Sequence, residues 1–243
     1  MKKFNDNPPV DWLVNGLIGR QGITILAAEP GVGKTVLALQ LSACCMEPKP
    51  FLTLPTKKGR VMWVSQDESP LDVYDKIKSM KCLSQVLEDL EYHDCDVSFQ
   101  LRDSIIGLKD ASVDYDLLIL DSLQALDVEN ENAARPAARA VRVLRAIAAQ
   151  NNLGILLLHH LNQNNNFFTP IEDRIRGSSA ILGAVDRALV MMPGPGQQVT
   201  LQTTRKFRGR RQFDKIILDW DWTNLHLRVA SFHHPGLDKG IKV

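Results

Sequence analysis

The chain of 243 residues contains no apolar run approaching the roughly 20 residues that a membrane-spanning helix requires, so no span is expected. Its opening, Met1-Lys2-Lys3-Phe4-Asn5-Asp6, has no apolar core of the kind a secretory signal carries. Cysteine is scarce: Cys44, Cys45, Cys82 and Cys95 occur, with no C-x-x-C spacing among them. A disulfide framework and a paired-thiolate zinc site are thereby excluded, and reduced thiols in a cytoplasm are the expectation. Net charge is almost absent too. Twenty-nine Lys and Arg against 28 Asp and Glu leave +1, so any attraction to nucleic acid must be local. No internal repeat is visible, and low complexity is confined to Asn162-Gln163-Asn164-Asn165-Asn166, which reads as a loop.

What remains is a globular composition, 44% apolar and 23% charged, at a length that suits one large α/β domain. Residues 1–22 read as a lead-in segment and 23–243 as the domain. Strands are expected at 23–28, 60–65, 97–101, 116–121 and 153–159, with helical patterns at 34–46, 70–91 and 131–151. The runs Leu117-Leu118-Ile119-Leu120 and Ile155-Leu156-Leu157-Leu158 are apolar without alternation, as strands buried on both faces of a parallel sheet are. After residue 186 alternating segments at 187–192, 198–205, 213–219 and 224–231 take over, punctuated by Pro193-Gly194-Pro195-Gly196 and Arg208-Gly209-Arg210. They predict antiparallel strands extending one edge. The expected fold class is therefore α/β, a largely parallel sheet flanked by helices with a C-terminal antiparallel extension.

The octet Ala28-Glu29-Pro30-Gly31-Val32-Gly33-Lys34-Thr35 lies between the apolar run 23–27 and the helical pattern that begins with Val36. Strand, Gly-rich loop, Lys-Thr, helix is the context of a phosphate-binding loop. The glycines let successive backbone N–H groups turn inward around a triphosphate, and the helix N-terminus adds partial positive charge. Lys34 is placed for the β- and γ-phosphates and the Thr35 hydroxyl for Mg²⁺. The bland alternative is a structural glycine turn before a core helix. A second element, Leu117-Leu118-Ile119-Leu120-Asp121-Ser122, delivers Asp121 at the end of a buried strand, where Mg²⁺ coordination behind such a loop needs a carboxylate. Ser122 stands beside it.

Three further groups carry chemistry. Asp67 and Glu68 follow the strand ending at Ser65, where either could polarise a water; the competing reading is a cap for the helix after Ser69-Pro70. His159 and His160 end another buried strand. Adjacent strand residues face opposite ways, so they do not share one metal, and one of them facing a γ-phosphate fits better. Residues 205–215 hold six basic side chains and two aromatics against one acid. They suit contact with a nucleic-acid backbone, an arginine finger into a neighbouring subunit, or a solvated edge hairpin. Arg135, Arg139 and Arg142 on one helical face read as solvated, with subunit contact second.

These motifs, in this order, resemble the RecA-like P-loop ATPases, and among them the RepA-type and DnaB-like hexameric replicative helicases, from about Trp12 to about Arg208. The carriers are the octet at 28–35, Ser65-Gln66-Asp67-Glu68-Ser69, Leu118 to Ser122, Leu158-His159-His160-Leu161-Asn162 and Arg174-Ile175-Arg176-Gly177-Ser178-Ser179-Ala180-Ile181 followed by Asp186. The His pair followed by Arg-Gly-Ser-Ser looks RepA-like, DnaB-like proteins carrying Gln at the place of His160. Two departures stand out: Ala28 replaces the first Gly, and the usual catalytic Glu falls on Asp67 with Glu68 beside it. The resemblance implies ATP and Mg²⁺ as cofactors, Asp121 as the metal carboxylate, His160 as the γ-phosphate sensor and 162–177 as a DNA-binding loop with Arg176 in it. It further implies Lys206 and Arg208, or else Arg187, acting in trans across a homo-oligomeric ring, with single-stranded DNA as partner. A filament-forming recombinase-like ATPase and a KaiC-like nucleotide-switched regulatory ATPase are the alternatives.

Overall fold

A computed structural model of the chain describes residues 10–65, 68–94, 107–122, 134–161, 170–175, 178–209, 211–234 and 241–242. In chain order the strands are β1 (Trp12–Val14), β2 (Ile18–Gly19), β3 (Ile23–Ala28), β4 (Val61–Ser65), β5 (Glu91–Asp94), β6 (Leu117–Asp121), β7 (Gly154–His160), β8 (Arg187–Pro193), β9 (Gln198–Phe207), β10 (Lys215–Asp221), β11 (His226–His233) and β12 (Ile241–Lys242). The helices are α1 (Lys34–Met46), α2 (Pro70–Ser79), α3 (Ser84–Leu87), α4 over 107–111, α5 (Ala134–Gln150) and α6 (Ser178–Ala184), with a 3₁₀ turn at Ile171–Arg174.

Ten of the strands form one sheet in the order β12-β11-β10-β9-β8-β3-β7-β6-β4-β5. From β8 through β5 the neighbours run parallel, and from β8 outward to β12 they run antiparallel. The parallel half contains the unbroken apolar runs. Every residue of β3, β4 and β6 is buried, and alternate side chains divide between two cores. Leu26, Ala28, Trp63, Leu117, Ile119, Leu156 and Leu158 join α1 on one face. Ile23, Ile25, Met62, Val64, Leu118, Leu120, Ile155 and Leu157 join Val141, Leu144 and Ile147 of α5 and Ile181 of α6 on the other.

The lead-in residues are not peripheral to packing, since Leu13, Val14, Leu17 and Ile18 of the β1–β2 ribbon lie fully inside the first core. α1 is apolar around nearly its whole circumference, because sheet covers one side and the edge extension closes over another. Gln40 makes that closure specific: its side-chain amide donates to the Leu227 carbonyl and its oxygen accepts the Leu227 N–H, both at 3.0 Å and buried.

The helix expected over 70–91 is corrected. α2 starts as its sequence says, with Ser69 accepting the Asp72 N–H and Pro70 at the first turn, but it stops at Ser79. Met80, on the same buried face as Val73 and Ile77, ends it with a ψ of 63° that leaves the helical region, and the chain passes through α3 into β5. β5 pairs with β4 as the parallel edge. Its Glu-Tyr-His-Asp composition suits a polar edge and hid the strand from a reading based on hydrophobicity. The strand expected at 97–101 lies outside the described residues.

Gln40→Leu removes two buried partners of a backbone edge at once. We expect the unfolding free energy to fall by roughly 2–4 kcal/mol, the cost of leaving a buried donor and acceptor unpaired. Urea denaturation measures it, and a change below about 0.5 kcal/mol would contradict the clamp between α1 and β11.

Candidate functional site

Parallel register brings four strand ends to one level. Ala28 lies opposite His160, Asp121 opposite Leu158, and Ser65 opposite Asp121. Such carboxyl ends are where open α/β sheets build sites. The octet leaves β3 there and turns through Gly31 and Gly33, whose φ values of 79° and 105° are in the left-handed region that glycine tolerates. Gly33 is also the N-cap of α1 and, having no side chain, gives the first-turn N–H groups of this buried helix no side-chain cap.

Behind the loop, Lys34 Nζ meets Asp121 Oδ1 at 3.2 Å, with side-chain exposures of 9% and 2%. The Thr35 hydroxyl donates to Glu68 Oε1 at 3.2 Å. Glu68 is itself positioned on three sides: its N–H donates to Ser65 Oγ at 3.4 Å, its carbonyl accepts the Tyr92 hydroxyl at 2.7 Å, and Oε2 pairs with Lys76. Lys34, Thr35, Asp121 and Glu68 thus converge, with Ser122 buried beside Asp121. Of the carboxylate pair singled out in the sequence, Asp67 lies outside the described residues. His159 is fully buried and His160, level with Ala28, is half-buried. The donor set fits a polyphosphate with a hard cation: an uncapped helix N-terminus, one ammonium, one hydroxyl and two carboxylates.

The basic candidates lie elsewhere. Arg187 pairs with Thr24 and with Phe207, near the amino end of β3, and the Arg208 N–H donates to the Asp186 carbonyl, whose own N–H donates to Ile23. At about 3.3 Å per strand residue this puts the 205–208 segment on the order of 16 Å along the sheet from the octet of its own protomer. Arg187 is buried, with its guanidinium 4.3 Å from the Trp12 ring centroid and 5.7 Å from that of Phe207. Burial lowers its pKa from the usual arginine value. Lys206 is half-buried. Arg208 is 56% exposed, its guanidinium 3.1 Å from Asp186 Oδ1. Arg139 and Arg142 are exposed on α5. Arg176 and the side chain of Arg135 lie outside the described residues.

Three neighbours of these groups were not legible from the sequence. Arg145 pairs with Asp186 at 3.1 Å, Arg174 Nη2 meets Glu29 Oε1 at 2.6 Å, and Trp220 lies against Gly33. Each joins positions far apart in the chain, and no local spacing announces them. Trp220 also stacks on the exposed Trp222, ring centroids 4.4 Å apart and planes 12° from parallel.

Gly33→Ala meets two obstacles, its φ of 105° and a Cβ that would sit 2.3 Å from Trp220 Cζ2. The backbone part costs about 1–2 kcal/mol. We therefore expect a lowered urea midpoint that Gly33→Ala/Trp220→Ala recovers only in part; full recovery would show that the backbone conformation is unimportant.

A family model described as "AAA domain" matches residues 3–166. Among curated proteins the chain is similar to the DNA repair protein RadA of Helicobacter pylori, 22% identical over 205 residues, covering 83% of this chain and 40% of that protein. The Rickettsia typhi RadA is 25% identical over 152 residues, 60% of this chain and 30% of its own length. The chain thus spans two fifths or less of the curated relatives it matches. A solved structure described as an "ATPase Domain" superposes with a TM-score of 0.67 at 12% identity, covering 86% of this chain and 84% of that one. That likeness carries the fold, a RecA-like sheet with an antiparallel C-terminal extension. With the family model covering well over half of its length, the chain belongs to the AAA domain family, built on the RecA-like P-loop ATPase fold.

Proposed function

We propose that the protein is a Mg²⁺-dependent ATPase whose site is completed by a second copy, in a homo-oligomeric ring of six that engages single-stranded DNA. The observation that carries this reading is the separation already described: a converged set at Lys34, Thr35, Asp121 and Glu68, and a half-buried Lys206 with an exposed Arg208 at the opposite end of the sheet. A nucleotide touched by those cations belongs to another copy.

The octet from Ala28 to Thr35, with Val36 behind it, holds the phosphates through its backbone N–H groups. Lys34 lies beside the β- and γ-phosphates, leaving its contact with Asp121 as they arrive. Thr35 and Asp121 would hold Mg²⁺, directly or through water, and the charge neutralisation it would supply is at the phosphate oxygens. The base is drawn from Asp67 and Glu68. Glu68 already stands at hydrogen-bond distance from the Thr35 hydroxyl and accepts the proton of an attacking water. His160, level with the start of the octet, senses the γ-phosphate and passes its state to 162–177, where Arg176 contacts DNA. Arg187, enclosed by Trp12 and Phe207, is the weaker trans candidate.

The RadA relatives, named as DNA repair proteins, favour a second reading in which the chain coats single strands during repair rather than unwinding a duplex. Strand displacement from a forked duplex separates the two, and electron microscopy of the DNA complex shows rings or filaments. ATP turnover indifferent to single-stranded DNA would point to the nucleotide-switched regulatory reading instead.

Turnover should disappear in Lys34→Ala. Arg208→Ala should lose at least about 10³-fold in turnover, the lower end of what a trans arginine contributes, while its ATP affinity stays within about threefold. Full activity in Arg208→Ala would remove the trans assignment, and full activity in Lys34→Ala would remove the site.

A further inference from the structure

An acidic residue inside a loop built for polyphosphate is a physical contradiction, and Glu29 is such a residue. It follows β3 directly, and its carbonyl accepts the Val32 N–H at 3.4 Å, so its backbone belongs to the turn itself. An uncompensated carboxylate there would repel every phosphate oxygen that enters. The compensation comes from outside the motif. Arg174 Nη2 meets Glu29 Oε1 at 2.6 Å, with side-chain exposures of 18% and 33%. The other contacts of this guanidinium are poor. Its Nε is buried with no hydrogen-bond partner among the described residues, and Nη1 faces the Met192 sulfur at 3.9 Å, a weak acceptor. Among the described residues Glu29 supplies the carboxylate that balances Arg174, and Arg174 the cation that balances Glu29.

The arginine is held where it is needed. It ends the 3₁₀ turn Ile171–Arg174, and the next residue, Ile175, is fully buried and bridges Leu161. The Leu161 N–H in turn donates to the Ala28 carbonyl at 3.1 Å. Residues 170–175 are thus tied to Ala28 through the backbone and to Glu29 through the side chain, two adjacent points at the mouth of the loop.

We propose that Arg174 is a positioning residue for the phosphate-binding loop: it neutralises Glu29 and draws that carboxylate aside, so that a nucleoside polyphosphate can enter. The proposal rests on the reading that the octet binds a nucleotide. It adds a residue 145 positions away that sets the affinity without touching the ligand, and it explains how the loop accommodates an acid at its second position.

The test is a charge cycle, read as the dissociation constant for Mg-ATP by displacement of a fluorescent ATP analogue. Arg174→Ala leaves Glu29 unbalanced and should weaken binding roughly tenfold, a deficit that shrinks as salt screens the repulsion. Glu29→Gln frees the guanidinium's charge and should tighten binding. Glu29→Gln/Arg174→Ala should recover most of the loss, which a merely structural role for Arg174 would not produce. Near-UV circular dichroism checks that each variant retains its packing. Binding by Arg174→Ala within about twofold of wild type, or a double variant as weak as Arg174→Ala alone, overturns the proposal while leaving the ATPase reading intact. Failure of the wild-type chain to bind Mg-ATP overturns both.

Discussion

A buried ammonium facing a buried carboxylate organises this molecule: Lys34 and Asp121 meet at 3.2 Å, almost out of reach of water. Burying such charges is expensive, and the pair gives back in attraction little more than it loses in hydration. Its position rather than its energy explains its value. Lys34 is the first residue of α1 and Asp121 the last of β6, so the contact joins the loop after one central strand to the end of another two places away in the sheet. Parallel registration makes the meeting possible. The strand between them, β7, registers in parallel with both and holds their ends at a common level, and Thr35, Glu68 and His160 come to that level by the same device.

The same sheet that gathers one set of groups separates another. Arg187, Lys206 and Arg208 belong to the antiparallel extension and lie at the far end from the octet. There Asp186 organises the local charge, taking Arg145 and Arg208 on its carboxylate and the Ile23 N–H as well. The converged set Lys34, Thr35, Asp121 and Glu68 at one end and a group of cations at the other make the protomer asymmetric along its strands. Head-to-tail contact between copies is the arrangement that brings such ends together, and it closes into rings or extends into filaments.

How much could be read beforehand depended on whether the signal was local. The octet, the Leu118–Asp121 strand and the His159-His160 strand end are contiguous, and in each the residue types and the secondary structure follow from one another. Between β3 and β9, β8 is buried at five consecutive positions, whereas β9 and β10 alternate in burial and were equally readable. The charged strand Glu91–Asp94 was not, because an exposed edge needs no hydrophobic pattern. Nor was the end of α2, where Met80 leaves the helical region although it continues the buried face of Val73 and Ile77. The ion pair Glu29–Arg174, the Asp186 cluster and the contact of Trp220 with Gly33 arise only after folding, between segments with no sequence relation.

The central claim is that Asp121 and the octet hold a cation and a triphosphate together. It is tested most directly by titrating ATP analogue affinity against Mg²⁺ in wild type and Asp121→Asn. The substitution keeps the shape of the side chain and removes its charge. The account predicts that Mg²⁺ strengthens binding in wild type and that Asp121→Asn loses at least about tenfold of that dependence, the scale of a lost metal-site interaction. An Asp121→Asn protein with the same Mg²⁺ dependence as wild type would contradict it.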